Sequence, residues 1–199
     1  MEFNNVIEKR RSIRKYRTDT IPDEYINAML EAARLAPSGI NLQPWRYVVV
    51  KDRQMREKLA MTTPSHFIAE APVIFVCCAD TSIFNTAEAR LMELLSTGAF
   101  TDTSFTSYLP DTKGELDKVW LKIFLMQNAA ISTEHLCLKA VDLGLGSCWV
   151  TLFDQNAVRN LLNIDYRYDI HSIVATGYTN NWPAARPRLN IDEIVLDRI

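Results

Sequence analysis

The residues best equipped for chemistry are the basic ones of "RRSIRKYR", where Arg10, Arg11, Arg14, Lys15 and Arg17 fall within eight positions. Arginine presents a planar fork of donors that pairs bidentately with phosphate, and Ser12 adds a hydroxyl inside the run. Near the far end of the chain, Arg186 and Arg188 repeat the theme two residues apart. Folded together, these groups could converge on one phosphomonoester. Left apart, they are a solvated helix end and an exposed tail. The overall balance argues against a polyanion as partner: 22 Lys and Arg against 24 Asp and Glu leave a net charge of −2. A nucleic-acid binder carries a net basic face, so the cluster reads as local chemistry.

Other reactive constellations are missing. His66, His135 and His171 have no metal-ligand spacing, and the sequence holds no HExxH, GxSxG or P-loop pattern. The cysteines, Cys77, Cys78, Cys137 and Cys148, form no CxxC pair, so no zinc or other metal site is expected. "GLGSCW" offers Gly144 and Gly146 but Trp149 where a dinucleotide fingerprint needs its third glycine, and it precedes a strand instead of following one. A chain with neither nucleophile nor base either is not an enzyme or borrows its chemistry from a cofactor. Cysteines in apolar settings, an N-terminus without a signal-peptide core and no run of about 18 apolar residues predict a reduced, cytoplasmic protein that does not span a membrane.

The elements that must position these groups follow from periodicity. A short helix over 3–11 runs into the basic cluster. A second opens at Pro22, carries Asp23 and Glu24 in its first turn, spaces Ile26, Met29, Leu30 and Ala33 along one face, and stops at Pro37 and Gly39. Val-rich and aromatic runs predict strands at 46–50, 71–80, 146–153 and 169–178, with helices at 53–61 and 154–162 between them. Cys77 and Cys78 should face opposite sides of their strand. The longest helix, 115–143, is apolar around much of its circumference and so belongs in a core or a subunit interface. Residues 81–118 are the least regular: a helix at 86–96, then a polar, aromatic stretch in which Phe100, Phe105 and Tyr108 form either a lid or a surface loop. The tail from Trp182 reads as extended. Strands separated by helices predict an α+β (α/β-type) fold, a sheet covered by helices. One domain over 1–199 with an excursion at about 81–118 fits the length.

Taken in order, "RRSIRKY", "APSGINLQPWRYVVV", "GLGSCWV" and "GYTNNWPAARPRL" resemble the nitroreductase family of FMN-dependent oxidoreductases, over most of the chain except 81–118. The resemblance implies a central, mostly antiparallel sheet and an intertwined homodimer with FMN at the subunit interface. It implies that Arg10, Arg11 and Ser12 hold the phosphate and ribityl end, with Arg186 and Arg188 closing on the phosphate. Arg14 would lie at the pyrimidine edge and favour the anionic, reduced ring. Pro37, Ser38, Gly39 and Asn41 would cover the partner's flavin, and Trp149, Val150 and Thr151 would pass their backbone beside N5. Many relatives place glycine near 151 and 152, where this chain has Thr151 and Leu152, whose side chains should narrow the approach. Where relatives place an Asn, Gln or Lys before the second strand, only Ser65 and His66 stand here. For Trp45, and for Cys148, core packing is the simpler reading.

The expected activity is FMN-dependent hydride transfer from NADH or NADPH to a nitroaromatic, quinone or similar small acceptor in a ping-pong order, which needs no protein acid or base. A reductive dehalogenase, a flavin-fragmenting enzyme and a non-catalytic FMN storage or sensor protein are the alternatives. Neither the acceptor nor the preferred donor is legible in the sequence.

Overall fold

A computed structural model describes residues 1–99 and 118–199. Helix α1 spans Phe3–Lys9 and α2 Asp23–Arg34; strand β1 is Trp45–Val50, followed by α3 at Arg53–Ala60 and β2 at Val73–Asp80. Helix α4 is Ala87–Ser96 and α5 is Lys118–Asp142; β3 (Gly146–Val150), α6 (Gln155–Leu162), β4 (Tyr168–Gly177) and a short α7 (Ile191–Ile194) complete the described elements. The local causes are ordinary ones. Asp52 caps α3 by accepting from the Met55 N–H, and Asp154 caps α6 by accepting from Asn156 and Ala157. Asn163 ends α6 in the left-handed conformation.

The strands form one four-stranded sheet in the order β1-β2-β4-β3, and every pairing is antiparallel. This is the expected α+β architecture, with "mostly antiparallel" sharpened: among the described residues the one parallel contact is an isolated bridge between Ser12 and Ser147. The central strands are buried on both faces. Ile74, Val76 and Cys78 pack toward α3 and α6, while Val73, Phe75 and Cys77 pack toward α2 and α5. Cys77 and Cys78 thus enter different clusters, as strand alternation requires. A third cluster, with Leu42, Trp45, Phe84, Leu125 and Ala129, closes the end of the sheet nearest the "PSGIN" loop.

Two strand features depart from the periodicity. The β2–β4 register shifts between Cys77 and Cys78, which pair with Ser172 and Ile170 and leave His171 as the extra residue of a bulge. That bulge lets Ile170 and Ile173, three apart, face the same core cluster. It also ends the neighbouring ladder: β3 stops at Val150, opposite Ile173, so Thr151–Phe153 are not strand as the sequence suggested. The tail after Trp182 is extended except for α7, where Asn190 and Glu193 make a reciprocal capping box. The anticipated lid residues Phe100, Phe105 and Tyr108 lie outside the described residues.

Candidate functional site

The basic run is held by one apolar residue. After α1 the chain becomes extended; Ser12 bridges Ser147, and the Ile13 N–H donates to the Ser147 carbonyl at 2.9 Å. Ile13 is buried against Gly146, where an added Cβ would lie 2.4 Å from the Ile13 Cγ1. Gly146 is therefore the residue that admits the segment onto β3. With Ile13 turned inward, Ser12 and Arg14 are left exposed on either side of it.

The charges of the run are unequally engaged. Arg17 pairs with Asp19 on the surface, through its Nε at 2.8 Å. Arg10 Nε lies 3.2 Å from Glu134 on α5. Burial pushes the Glu134 carboxyl up, opposed by Arg10 and then His135. Arg11 donates through Nη1 to the carbonyls of Glu8 and Arg10, yet its Nε is buried with no hydrogen-bond partner. Arg14 reaches the Ser12 carbonyl at 3.4 Å, and its guanidinium lies 6.0 Å from the Phe67 ring centre. Among the described residues, neither Arg11 nor Arg14 has a carboxylate partner.

The tail passes beside the start of the basic run. Lys9 sits over the Trp182 ring at 4.9 Å, which brings the tail beside the end of α1. Arg186 lies four residues farther, within about 14 Å of extended chain. Arg186 and Arg188 are exposed, and among the described residues Arg188 bonds to the carbonyls of Arg186 and Pro187.

At the end of β3, Trp149 is half-buried, with its ring 5.9 Å from that of His171, and Val150 is core. Thr151 and Leu152 are exposed just beyond the strand, and the Leu152 carbonyl accepts from Thr63. His66 is committed to the Ala60 carbonyl at 2.9 Å, and Ser65 opens a short 3-10 turn. Phe67, the next residue, faces Arg14 instead, a role that no sequence signal marked. Trp45 and Cys148 are both buried, consistent with packing.

The Pro37–Gln43 loop lies elsewhere. Ile40, Asn41 and Gln43 all have positive φ, at 44°, 54° and 51°. Non-glycine residues seldom adopt that conformation, and for a β-branched residue such as Ile40 it is strained. The Ser38 hydroxyl accepts from the Gln43 N–H at 2.9 Å, and Asn128 Oδ1 accepts from the Gly39 N–H at 2.8 Å. Sheet register places this loop far from the basic run. Trp45 aligns with Ala79 and Asp169, whereas Ser12 aligns with Ser147 and Thr176. Four strand spacings across and about seven residues along separate the two corners by roughly 30 Å.

A cavity of about 580 Å³ beside Tyr16, Lys51, Arg56 and Glu70 touches none of the candidate residues, and its Lys51 and Arg53 are paired with Asp23 and Glu57. Among the described residues no cluster of His, Cys, Asp or Glu could hold a metal ion, and no helix is long and apolar enough to cross a membrane.

Comparison with known proteins gives a consistent picture. The family model described as "Nitroreductase family" matches residues 7–178. NADH dehydrogenase of Thermus thermophilus is 34% identical over 196 residues, covering 96% of this chain and 93% of that protein. A protein assigned as a nitroreductase, from Exiguobacterium sibiricum 255-15 and solved in complex with FMN, superposes with a TM-score of 0.82 at 21% identity, covering 100% and 98% of the two chains. Over a stretch of 58 residues, 29% of this chain and 20% of the other, rat iodotyrosine deiodinase 1 is 45% identical.

Proposed function

The chain belongs to the nitroreductase family, and from that premise we propose that it is an FMN-dependent oxidoreductase taking reducing equivalents from NADH or NADPH and delivering them to a nitroaromatic, quinone or similar acceptor. The observation that carries this reading is the basic run locked onto β3, where among the described residues the buried Arg11 Nε lacks a partner and Arg14 lacks a counter-charge. These are the donors a flavin phosphate and an electron-rich ring edge require, so the residues fit FMN. The Thermus relative's name supports NADH as a donor, and the FMN complex of the Exiguobacterium protein supports the flavin.

When bound, FMN supplies the two-electron chemistry. The chain supplies position and charge. Arg10, Arg11 and Ser12 bind the phosphate and ribityl end, and Arg186 and Arg188 fold in from the tail held by Trp182. Arg14, backed by the Phe67 ring, places a fixed positive charge at the pyrimidine edge. The backbone of Trp149, Val150 and Thr151 lines the N5 edge. Donor and acceptor occupy the same open face in turn, so no protein acid or base is required near the transferred hydride.

The site is shared by two copies. One chain's Pro37, Ser38, Gly39 and Asn41 are roughly 30 Å from its own basic run, so they cover the flavin of a partner and exclude water from it. Exposed apolar side chains support a homodimer: Trp120, Ile123 and Ile131 on α5 are 44%, 51% and 42% exposed, and Leu196 and Ile199 in the tail are wholly so. Residues 1–199 then act as one flavin-binding unit of each subunit. The free, buried cysteines suit a reducing, cytoplasmic setting.

The test is direct. Purified protein should be yellow, release FMN on heating, and oxidise NADH or NADPH faster when a nitroaromatic or quinone is added. Release of FAD, or a colourless protein that FMN cannot reconstitute, overturns the cofactor. A flavin-loaded protein that never oxidises either donor is a storage protein. The deiodinase stretch favours a second reading, reductive dehalogenation of a halogenated phenol. Iodide release from iodotyrosine that outpaces nitroaromatic reduction would select it.

A further inference from the structure

The loop that serves the partner's site is strained, and its shape must be imposed from outside it. Three non-glycine residues at positive φ in a four-residue span persist only where the surroundings over-determine them. Leu42 anchors one end in the core, and Ser38 closes the turn on Gln43 from within. The long-range restraint comes from α5. Asn128 is 6% exposed; its Oδ1 accepts from the Gly39 N–H at 2.8 Å, and its Nδ2 donates to the Phe124 carbonyl one helical turn back, at 2.7 Å. That second bond fixes which end of the amide faces the loop. Phe124 completes the seat, because a Cβ on Gly39 would lie 2.6 Å from its Cζ. The Gly39 backbone is thus pressed against α5 and read there by a single buried amide.

We propose that Asn128 is a positioning residue that holds the Pro37–Gln43 loop in the conformation needed to cover the partner subunit's flavin. This rests on the reading of the site given above, but the hold on the loop stands on the chain's own geometry. The acceptor atom is what matters. Asn128→Asp keeps an oxygen facing Gly39 and loses the bond to Phe124, whereas Asn128→Leu keeps the size and loses both.

Two measurements on the full-length protein separate the possibilities. The first is amide hydrogen exchange of the peptide spanning 36–44, read in the flavin-free protein. The leucine variant should exchange there at least about tenfold faster, with the aspartate variant close to wild type. The second is FMN dissociation from the loaded protein below its unfolding temperature. It should be about tenfold faster for leucine and nearly unchanged for aspartate, with a change in the visible circular dichroism of bound flavin for leucine alone. Asn128→Ala replaces the leucine variant if that one fails to fold. Unchanged exchange in both non-polar variants, or equal acceleration with leucine and aspartate, overturns the proposal: Asn128 then only packs α5. If exchange behaves as expected but wild-type protein binds no FMN, the loop restraint stands and the flavin reading fails.

Discussion

Gly146→Ala tests whether one backbone contact places the whole basic run. The new methyl carbon would lie 2.4 Å from Ile13 Cγ1, 2.8 Å from its Cβ and 3.0 Å from its Cγ2. Carbon atoms rest comfortably at about 3.5–4.0 Å, so Ile13 must retreat by about 1 Å. Rotation does not relieve this, because its Cβ, which no rotamer moves, is among the atoms struck. Retreat stretches the 2.9 Å bond from the Ile13 N–H to the Ser147 carbonyl beyond hydrogen-bonding range. Overpacking costs about 1–3 kcal/mol and the lost bond about 0.5–1.5 kcal/mol, so the flavin-free protein should unfold roughly 5–15 °C lower. Ser12 and Arg14 flank Ile13 and move with it. Misplacing even one charge-assisted contact should weaken FMN binding on the order of 10- to 100-fold. Calorimetry and a fluorescence-quench titration of flavin-free protein measure the two effects. Adding Ile13→Ala to Gly146→Ala removes two of the three clashing carbons and should recover part of the affinity while stability falls further, a non-additive pattern. Wild-type affinity and a midpoint within about 1 °C of wild type in the single variant would refute the reasoning.

Arg188→Ala should weaken FMN binding on the order of 10- to 100-fold without lowering the unfolding midpoint of the flavin-free protein; unchanged flavin retention would leave the tail arginines in solvent. Arg14→Ala should lower the flavin midpoint potential by about 60 mV, the equivalent of about 3 kcal/mol for a charge about 6 Å away at an effective dielectric near 20. Arg14→Lys should recover part of the shift, and an unchanged dye-referenced titration sinks the assignment. Light scattering should find a dimer at micromolar concentration, and truncation after Arg188 should loosen both the dimer and its flavin; a flavin-loaded monomer contradicts the shared site. Burial lowers the His171 pKa from 6.5 to about 4, so the unfolded chain binds the extra proton first. Stability from this group is full above pH 6.5 and is lost progressively as pH falls toward 4, by up to about 3 kcal/mol. His171→Asn should flatten that slope in urea titrations, and a slope equal to wild type would exclude His171 as its source.

Much of the fold was legible because its elements are patterned at a single period. Strand β2 is a run of apolar residues bounded by turns, and α2 carries its buried Ile26, Met29 and Ala33 at helical spacing between an acidic first turn and a basic last one. What escaped was set by a neighbour instead of by the residues themselves. "GSCWVTLF" has strand composition to its end, yet Thr151–Phe153 lose their ladder because β4 bulges at His171, a different segment altogether. The bulge is equally silent in β4, since "DIHSIVATGY" alternates well enough to read as unbroken. The register against β2 and the packing of Ile170 and Ile173 on one face reveal the slip.

The candidate site divides along the same line. Arg10, Arg11, Ser12 and Arg14 stood out because charge density within a short run is visible in one dimension. Glu134, Phe67 and Asn128 did not, because each matters only through a contact across the fold: with Arg10, with Arg14 and with the Gly39 N–H. Asn128 in particular sits in "FLMQNAAIS", where nothing in the sequence separates its amide from that of neighbouring Gln127. The strained loop lies at one corner of the sheet and Arg11 and Arg14 at the diagonally opposite one, roughly 30 Å away. Strain of about 1–3 kcal/mol per residue in that loop has no purpose within a single chain that could recover it. A two-fold axis brings corner to corner twice, so one symmetric pair completes two sites with the same surfaces. In the proposed dimer each loop would exclude water from its partner's flavin, and the strain held by Asn128 in one subunit would be the preorganisation that the other subunit's site uses.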